Sequence, residues 1–163
     1  NSLGISADIR PIVAAAAAVA ERTESPAVAV ELNDGRIVTG KTSNLLGASS
    51  AVLLNLLKVL GNIDDKYDLI SPSIIEPIQK LKVNNMGNHN PRLHMDEVLI
   101  ALSISSRTHA NAALALAQLD KLRCCDAHFS VILSPVDERT YKRLGINVTC
   151  EPVAGGKKGK VKL

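Results

Sequence analysis

The stretch "AVAVELNDGRIVTGKT", residues 27–42, decides the fold. Its first part, residues 27–32, is short, apolar and bounded by turn residues, which predicts a β-strand. Residues 33–35, "NDG", tolerate positive φ and are typical of a hairpin turn. Residues 36–40, "RIVTG", then predict the return strand, so the chain contains a β-hairpin.

The same stretch also contains the spacing of a phosphate-binding P-loop, "GRIVTGKT", at residues 35–42. In a P-loop the variable residues curl around a phosphate with their N–H groups pointing inward. Here they include Ile37, Val38 and Thr39, which are β-branched and favour a pleated strand. A hairpin turn also stands where the strand leading into the loop should end. We therefore predict a strand followed by a turn at Gly40.

Helices are predicted on both sides of the hairpin. An alanine-rich helix should precede it, with Ser6 as the N-cap and an end near Thr23. A second helix should run from Leu45 to Leu60 and be closed by Gly61 as the C′ residue. This second helix is apolar almost all round, which predicts that it lies buried across the sheet.

Two later segments, residues 67–83 and 129–146, share one plan: an apolar strand, a Ser-Pro pair, then a helix. The pairs begin at Ser71 and Ser134, and they mark strand-to-helix junctions because serine caps helices and proline suits the first helical turn. Both junctions also have capping-box spacing. The pairs with that spacing are Ser73 with Glu76 and Ser134 with Asp137.

The remaining elements are two helices, about Met95–Ser106 and Asn111–Leu122, and a final strand at residues 146–150. Strands that alternate with helices predict an α/β fold with three layers, α/β/α. Its mixed sheet should be antiparallel only at the hairpin. Residues 1–154 should form a single domain, followed by a basic tail at residues 155–163.

Composition and charge exclude several classes of protein. The formal charge is +3, but four lysines lie in the tail, so the rest of the chain carries 3 − 4 = −1. Aromatic residues make up only 2%, which leaves no platform for stacking bases, so nucleic-acid binding is not expected. The alanine-rich segment is too short to span a bilayer. Three cysteines with no metal spacing favour the cytoplasm. The tail lysines are Lys157, Lys158, Lys160 and Lys162.

The order of elements resembles the cytidine-deaminase-like fold, in which a hairpin runs into a buried helix and then into strand–helix units. That family places a His or Cys and a Glu on the buried helix and two Cys at the start of the next, to bind zinc. Here residues 41–58 contain none of these types, and "SPSIIEP", residues 71–77, contains no Cys. The resemblance implies the fold, whereas neither zinc nor deaminase activity is expected.

Four longer runs are similar to the C-terminal portion of a bacterial family of uncharacterised proteins, domain of unknown function 1846. They are "DGRIVTGKTSNLLGASSAVLLN" (34–55), "ISPSIIEPIQKLK" (70–82), "DEVLIALSIS" (96–105) and "HFSVILSPVDERTYKRLGINVTCEP" (128–152). Members of that family are several times longer than this chain. The resemblance therefore implies a C-terminal subdomain whose partner is the remaining N-terminal portion, and it brings no established reaction.

Polar residues near the predicted carboxyl ends of the strands form a candidate ligand site. Helix N-termini with free N–H groups attract anions, and ligands in open α/β sheets sit beyond the strand ends. These residues would then surround a phosphate- or carboxylate-sized pocket, although the serines alternatively serve only as helix caps. The candidates are Lys41, Thr42, Ser43, Ser49, Ser50, Ser71, Ser73 and Ser134.

No cofactor or metal site is predicted. His89 and His94 flank a proline in a polar loop without a third ligand, and His94 is expected to cap a helix. Cys124 and Cys125 are interpreted as packing residues. Two functions stay open: a non-catalytic structural domain that packs against a larger protein or forms a homo-oligomer, and a domain that binds a small anion or nucleotide at the Ser-Pro helix ends.

Overall fold

A computed structural model describes residues 10–152, which form six helices around a four-stranded mixed sheet. A π-helical turn, Leu81–Asn85, continues the third helix, and a 3₁₀ turn, Leu119–Leu122, follows the fifth. The strands are β1 (Ala27–Glu31), β2 (Ile37–Lys41), β3 (Asp126–Phe129) and β4 (Asn147–Cys150). The helices are α1 (Pro11–Thr23), α2 (Ala48–Leu60), α3 (Pro72–Lys80), α4 (Met95–Ser105), α5 (Ala110–Leu116) and α6 (Pro135–Arg143).

The predicted hairpin is confirmed. β1 and β2 pair antiparallel, with Val30 opposite Val38. The turn is closed by two backbone hydrogen bonds, from the N–H of Leu32 to the carbonyl of Arg36 (2.8 Å) and from the N–H of Gly35 to the carbonyl of Leu32 (2.9 Å). Gly35 has φ of 93°, a left-handed conformation that glycine adopts without steric cost. The "NDG" signal thus fixes the register of the two strands.

The glycine of the P-loop-like pattern serves helix packing. β2 runs through Gly40 to Lys41, so the turn predicted at Gly40 comes after the strand. A Cβ atom at position 40 would lie 2.5 Å from the backbone nitrogen of Val52 and 2.7 Å from its Cα. Since α2 lies directly against β2 here, only glycine fits. The return strand predicted at residues 36–40 is confirmed, one residue later at each end.

The sheet order is β2-β1-β3-β4. β1 pairs antiparallel with β3 as well as with β2, and β3 pairs parallel with β4. The prediction that the sheet is antiparallel only at the hairpin was therefore wrong. The alternation of strands and helices does not fix which edge of the hairpin receives the next strand, and here β3 returns beside β1.

Helices cover both faces of the sheet, as predicted for a three-layer α/β fold. On one face Ile12 and Ala16 of α1 pack against Ala29 of β1. On the other face Val28 and Val30 belong to the main core, together with the buried leucines of α2. Alternate residues of β1 point to opposite sides of the sheet, so this one buried strand separates the two layers of helices.

Several helix ends differ from the predictions. α1 starts at Pro11 with extended Arg10 at the N-cap, and the predicted cap, Ser6, lies outside the described residues. α2 starts at Ala48, three residues later than predicted, because Leu46 instead forms an isolated bridge with Leu93. Gly61 follows α2 as expected, but its φ is −88° and the left-handed residue is the next one, Asn62.

The strand predicted at residues 67–70 is absent. Leu69 and Ile70 are buried, yet the segment forms no strand. Two apolar side chains can be buried from a loop as well as from a strand, so hydrophobicity alone misled the prediction. In the second strand–helix unit, β3 ends at Phe129, where the strand was predicted to begin, and Ile132 is exposed.

The later helices follow the predictions more closely. α4 lies at Met95–Ser105, while α5 ends early, at Leu116, and the 3₁₀ turn takes up the rest of the predicted segment. α6 is followed by Gly145 with φ of 83°, and β4 ends at Cys150. Within residues 10–152 no helix has the length and apolar character needed to cross a bilayer. The predicted tail, residues 155–163, lies outside this range.

Candidate functional site

The N-terminal ends of α2, α4 and α6 meet at one cleft of about 750 Å³. Gly47, His94 and Ser134 occupy the N-cap positions of these helices, and all three line the cleft. The first turn of a helix leaves backbone N–H groups unpaired, and its end carries a partial positive charge. The cleft is therefore surrounded by groups that attract negative charge.

The three helix ends are capped differently. The Ser134 hydroxyl accepts a hydrogen bond from the N–H of Asp137 (3.3 Å), which confirms serine capping at this predicted junction. At α4 the N–H of His94 donates to the Glu97 carboxylate (2.8 Å), so His94 occupies the expected cap position. Gly47 has no side chain, and α2 starts without a side-chain cap. Of the three helix ends, only that of α2 has an N-cap residue without a side chain that could accept a hydrogen bond from the first turn.

The Asp137 carboxylate connects all three helices. Although it belongs to α6, its Oδ2 accepts from the Ser49 hydroxyl of α2 (2.6 Å) and its Oδ1 accepts from the N–H of Met95 in α4 (3.0 Å). The residue is only 6% exposed. Hydrogen bonds to an ionised acceptor are among the stronger ones in proteins. The protein's own carboxylate therefore already serves as an anion at two of these helix ends.

The buried Tyr141 of α6 also supports the connection between α6 and α2. Its hydroxyl donates to the carbonyl of Ser49 (3.2 Å), and its ring packs edge-to-face against Phe129 with centroids 5.3 Å apart. Burial, reinforced by the nearby charge of Asp137, raises the pKa of Tyr141 well above 10. The phenol therefore stays protonated at neutral pH and acts as a packing and hydrogen-bonding group.

A buried lysine fixes the loop on the other side of the cleft. The Lys82 ammonium donates to the Glu97 carboxylate and to the carbonyl of Arg92, both at 2.7 Å. Burial acts to raise the pKa of Glu97, but the hydrogen bonds from Lys82 and from the His94 N–H outweigh it, so the pKa is lowered. Arg92 in turn donates through Nε to the carbonyl of Ser43. The loop before α4 is therefore tied both to α4 and to the segment before α2.

The structure brings half of the predicted site residues together. Those that line the cleft are Thr42, Ser43, Ser49 and Ser134. The Ser50 hydroxyl is buried and donates to the carbonyl of Leu93 (2.9 Å), while Lys41 is exposed at the end of β2. Ser71 accepts from the N–H of Ser73 (3.2 Å) and caps α3 away from the cleft. Because no strand precedes Ser71, this cap is not at the sheet edge where it was predicted.

Sequence reasoning missed Asn44, Arg92, His94 and Asp137 as lining residues of the cleft. The capping-box spacing pointed to Asp137, but the carboxylate bridges to other helices and does not return to the N-cap backbone. Arg92 reaches the cleft through a tertiary contact, for which the sequence around it carries no local signal. The Ser73–Glu76 spacing does not form a capping box in α3, because Ser71 takes the cap position.

Metal-ligating residues do not cluster in the part of the chain that the structure describes. Within residues 10–152 no group of three or more His, Cys, Asp or Glu side chains is arranged to hold a metal ion. The three cysteines are free. Cys125 is buried, as expected of a packing residue, and burial raises the pKa of its thiol. Cys124 was also interpreted as a packing residue, but it is exposed in a left-handed turn with φ of 69°.

Comparison with known proteins gives a consistent family match. The model of a family described as "Domain of unknown function DUF1846, C-terminal" matches residues 8–158. The chain belongs to this family. A UPF0371 protein of Corynebacterium glutamicum is 54% identical over 93% of this chain, and one of Corynebacterium efficiens is 55% identical over 93%. A UPF0371 protein of Streptococcus pyogenes is 46% identical over 94%.

The chain spans about 31% of the length of these DUF1846-family relatives. The family description and the names of the relatives state no reaction, substrate or ligand. The resemblance inferred from the four sequence runs is thus confirmed at the level of the family, and the chain is an α/β domain of a family whose function is unknown.

Proposed function

We propose that this chain is a non-catalytic docking domain that packs against the remaining N-terminal portion of a larger protein. The observation that carries this proposal is an exposed apolar stripe on α4. Ile100 and Ile104 lie one helical turn apart and are 63% and 62% exposed. The opposite side of the same helix is in the core, where Val98 and Leu102 are completely buried. α4 therefore presents apolar side chains both to the core and to solvent.

Neighbouring elements expose further apolar side chains. α5 packs against α4 and exposes Leu114. On the other side, Glu97 binds Lys82 of the π-helical turn, and Ile100 follows Glu97 by three residues on the same helix face. That turn and the residue after it expose further apolar side chains. We define the α4 surface as Ile100, Ile104, Leu114, Leu81, Val83 and Met86.

Large apolar side chains that are exposed together on one helix, as Ile100 and Ile104 are, are typical of an interface, because a solvated protein surface seldom groups them. Burying apolar area stabilises by about 25 cal/mol per Å². Complete burial of Ile100 and Ile104 would therefore contribute roughly 1–2 kcal/mol for each side chain. More than two thirds of the length of the relatives lies outside the matched region. That remainder is the occupant to which we assign the surface, and a homo-oligomer is the competing outcome.

Paired substitutions in the full-length protein test the proposal. Ile100→Ser with Ile104→Ser should lower the urea midpoint of the full-length protein. The double substitution should also make the connection between this domain and the N-terminal portion more sensitive to limited proteolysis. Ile132→Ser is the matched control, because Ile132 is 57% exposed and lies outside the α4 surface. If both variants changed stability equally, the docking role of α4 would be rejected. If the double substitution abolished a dimer seen in light scattering but left the protease sensitivity of that connection unchanged, the surface would be assigned to self-association.

A second candidate function is the binding of a small anionic ligand in the cleft, at the four predicted residues that line it. Its volume lies in the range of small-molecule sites. The uncapped end of α2 at Gly47 and the Arg92 side chain favour an anion there. The Asp137 carboxylate opposes one, since like charges repel in a partly buried site. This balance is why we rank ligand binding below docking.

Thermal unfolding with nucleotides and phosphometabolites tests the second candidate. A ligand that binds only the folded state raises the melting temperature. Stabilisation that is lost in Arg92→Met but kept in Lys41→Ala would support the cleft, since Lys41 does not line it. No stabilisation by any compound at millimolar concentration would reject it. Neither result depends on the α4 surface, so the two functions are tested separately.

The cytidine-deaminase-like resemblance is part of the proposal as well. Its support is the hairpin that runs into the buried helix α2, together with the strand–helix unit formed by β3 and α6. The missing strand at residues 67–70 departs from it. We also propose a cytoplasmic location, which is supported by three cysteines without a disulfide. We keep the prediction that the protein binds no zinc and does not deaminate nucleosides.

A further inference from the structure

A second cavity, of about 360 Å³, lies on the α1 face of the sheet. It is bounded by the C-terminal half of α1, by β3 and by the segment that follows β3. His128 is opposite Ala29 in the sheet, and Ala29 packs against α1, so His128 forms the floor on this side. The walls are mainly apolar, and they are formed by Val13, Ala17, Ala20, Pro26 and Val131.

Apart from His128, the acidic and basic side chains that line this cavity are all carboxylates. Glu21, Glu24 and Glu151 line it, and among its described lining residues there is no lysine or arginine. Two arginines lie close by without lining the cavity: Arg22, which is exposed in the same turn of α1, and Arg10, which donates to the Thr149 hydroxyl (2.8 Å). The C-terminal end of α1 opens here too, with Glu24 as its C-cap, and such an end carries partial negative charge on its carbonyl groups.

The polar groups of the lining are mainly acceptors. The Ser25 hydroxyl donates to the carbonyl of Thr23 (3.3 Å) and is used within the turn. His128 is held at both ring nitrogens, by Glu151 through Nε2 (2.8 Å) and by Thr149 through Nδ1 (2.7 Å). A carboxylate only accepts hydrogen bonds, so Nε2 carries a proton that is directed at Glu151. A ligand in this cavity would therefore meet carboxylate acceptors and few free donors.

We propose that this cavity binds a small organic cation, an ammonium group carried on a short apolar body. The apolar walls bury the body, and the carboxylates of Glu21, Glu24 and Glu151 receive the N–H groups of the ammonium. An apolar anion of the same size meets three negative charges and is rejected. A neutral analogue gains the apolar contact and lacks the charge interaction. The inference is independent of the docking surface on α4.

Calorimetric titration of the protein with hexylammonium, hexan-1-ol and hexanoate tests the proposal. Hexylammonium should bind at least tenfold more tightly than hexan-1-ol, and hexanoate should not bind. Glu21→Gln with Glu24→Gln should weaken hexylammonium binding at least fivefold and leave hexan-1-ol unchanged. Glu76→Gln is the control, because Glu76 is an exposed carboxylate on α3 that does not line the cavity.

A second variant keeps the test decisive. Ala17 is exposed on α1 and lines the cavity, so Ala17→Phe should fill the cavity without disturbing the core. It should abolish the binding of both hexylammonium and hexan-1-ol. Hexylammonium binding that survives Ala17→Phe, or that weakens equally in Glu76→Gln, would place the cation elsewhere and overturn the proposal. So would equal affinity for the ammonium and the alcohol, or no binding of hexylammonium at millimolar concentration.

Discussion

Replacing Asp137 by alanine tests whether its carboxylate holds the ends of α2, α4 and α6 together. The substitution would leave the N–H of Met95 and the hydroxyl of Ser49 without their present acceptor. A buried polar group that loses its partner costs about 1–3 kcal/mol. The Ser49 hydroxyl can turn to a carbonyl of the preceding turn, which recovers part of this cost. We therefore expect the free energy of unfolding to fall by about 2–4 kcal/mol.

Urea unfolding of three variants measures this effect. Asp137→Asn keeps one oxygen acceptor and loses the charge, so it should cost about half as much as Asp137→Ala. Glu138→Ala is the control, because Glu138 is an exposed acid in the same helical turn and should cost less than about 0.5 kcal/mol. The reasoning would be refuted if Asp137→Ala cost less than about 1 kcal/mol, or no more than Glu138→Ala.

The remaining predictions concern packing, pH and thiol chemistry. Gly40→Ala should lower the free energy of unfolding by more than about 2 kcal/mol, because its methyl group meets the backbone of Val52. Lys41→Ala should change neither stability nor nucleotide binding. A stable Gly40→Ala variant together with a loss of nucleotide binding in Lys41→Ala would indicate a P-loop. Glu97 has a lowered pKa in the folded state, so its contribution to stability is present above the unfolded pKa and is lost as the pH falls through the lower folded value. Below about pH 4.5, urea midpoints should therefore fall more steeply in the parent protein than in Glu97→Gln, and parallel curves would contradict this. In maleimide labelling Cys150 should react well before Cys125, which is buried and has a raised pKa; equal rates would contradict the burial of Cys125.

Local signals in the sequence predicted most of the elements. The "NDG" turn located the hairpin, and β-branched residues distinguished the strand at Ile37–Lys41 from a phosphate loop. The Ser134 cap was correct because capping depends on a contact only three residues away. Each of these features is decided within one turn of chain, where propensity and hydrogen bonding act together.

Long-range choices were not predictable in the same way. The apolar pair Leu69 and Ile70 satisfies burial equally well in a loop or in a strand, so the pattern alone could not reject a strand. The pairing of β3 with β1 depends on the path of four intervening helices. For the same reason only half of the candidate residues line the cleft, and Arg92 and Asp137, which reach it through contacts more than forty residues away, were not among the candidates.

Hydroxyl-radical footprinting of the full-length protein, read by mass spectrometry, tests the docking proposal most directly. It requires no substitution and compares residues within one sample. Ile100, Ile104 and Ile132 have similar exposure in this domain. If the α4 surface is covered by the remainder of the protein, Ile100 and Ile104 should react as slowly as the buried Leu102, while Ile132 reacts fast. Equal, fast labelling of all three isoleucines would contradict the proposed docking.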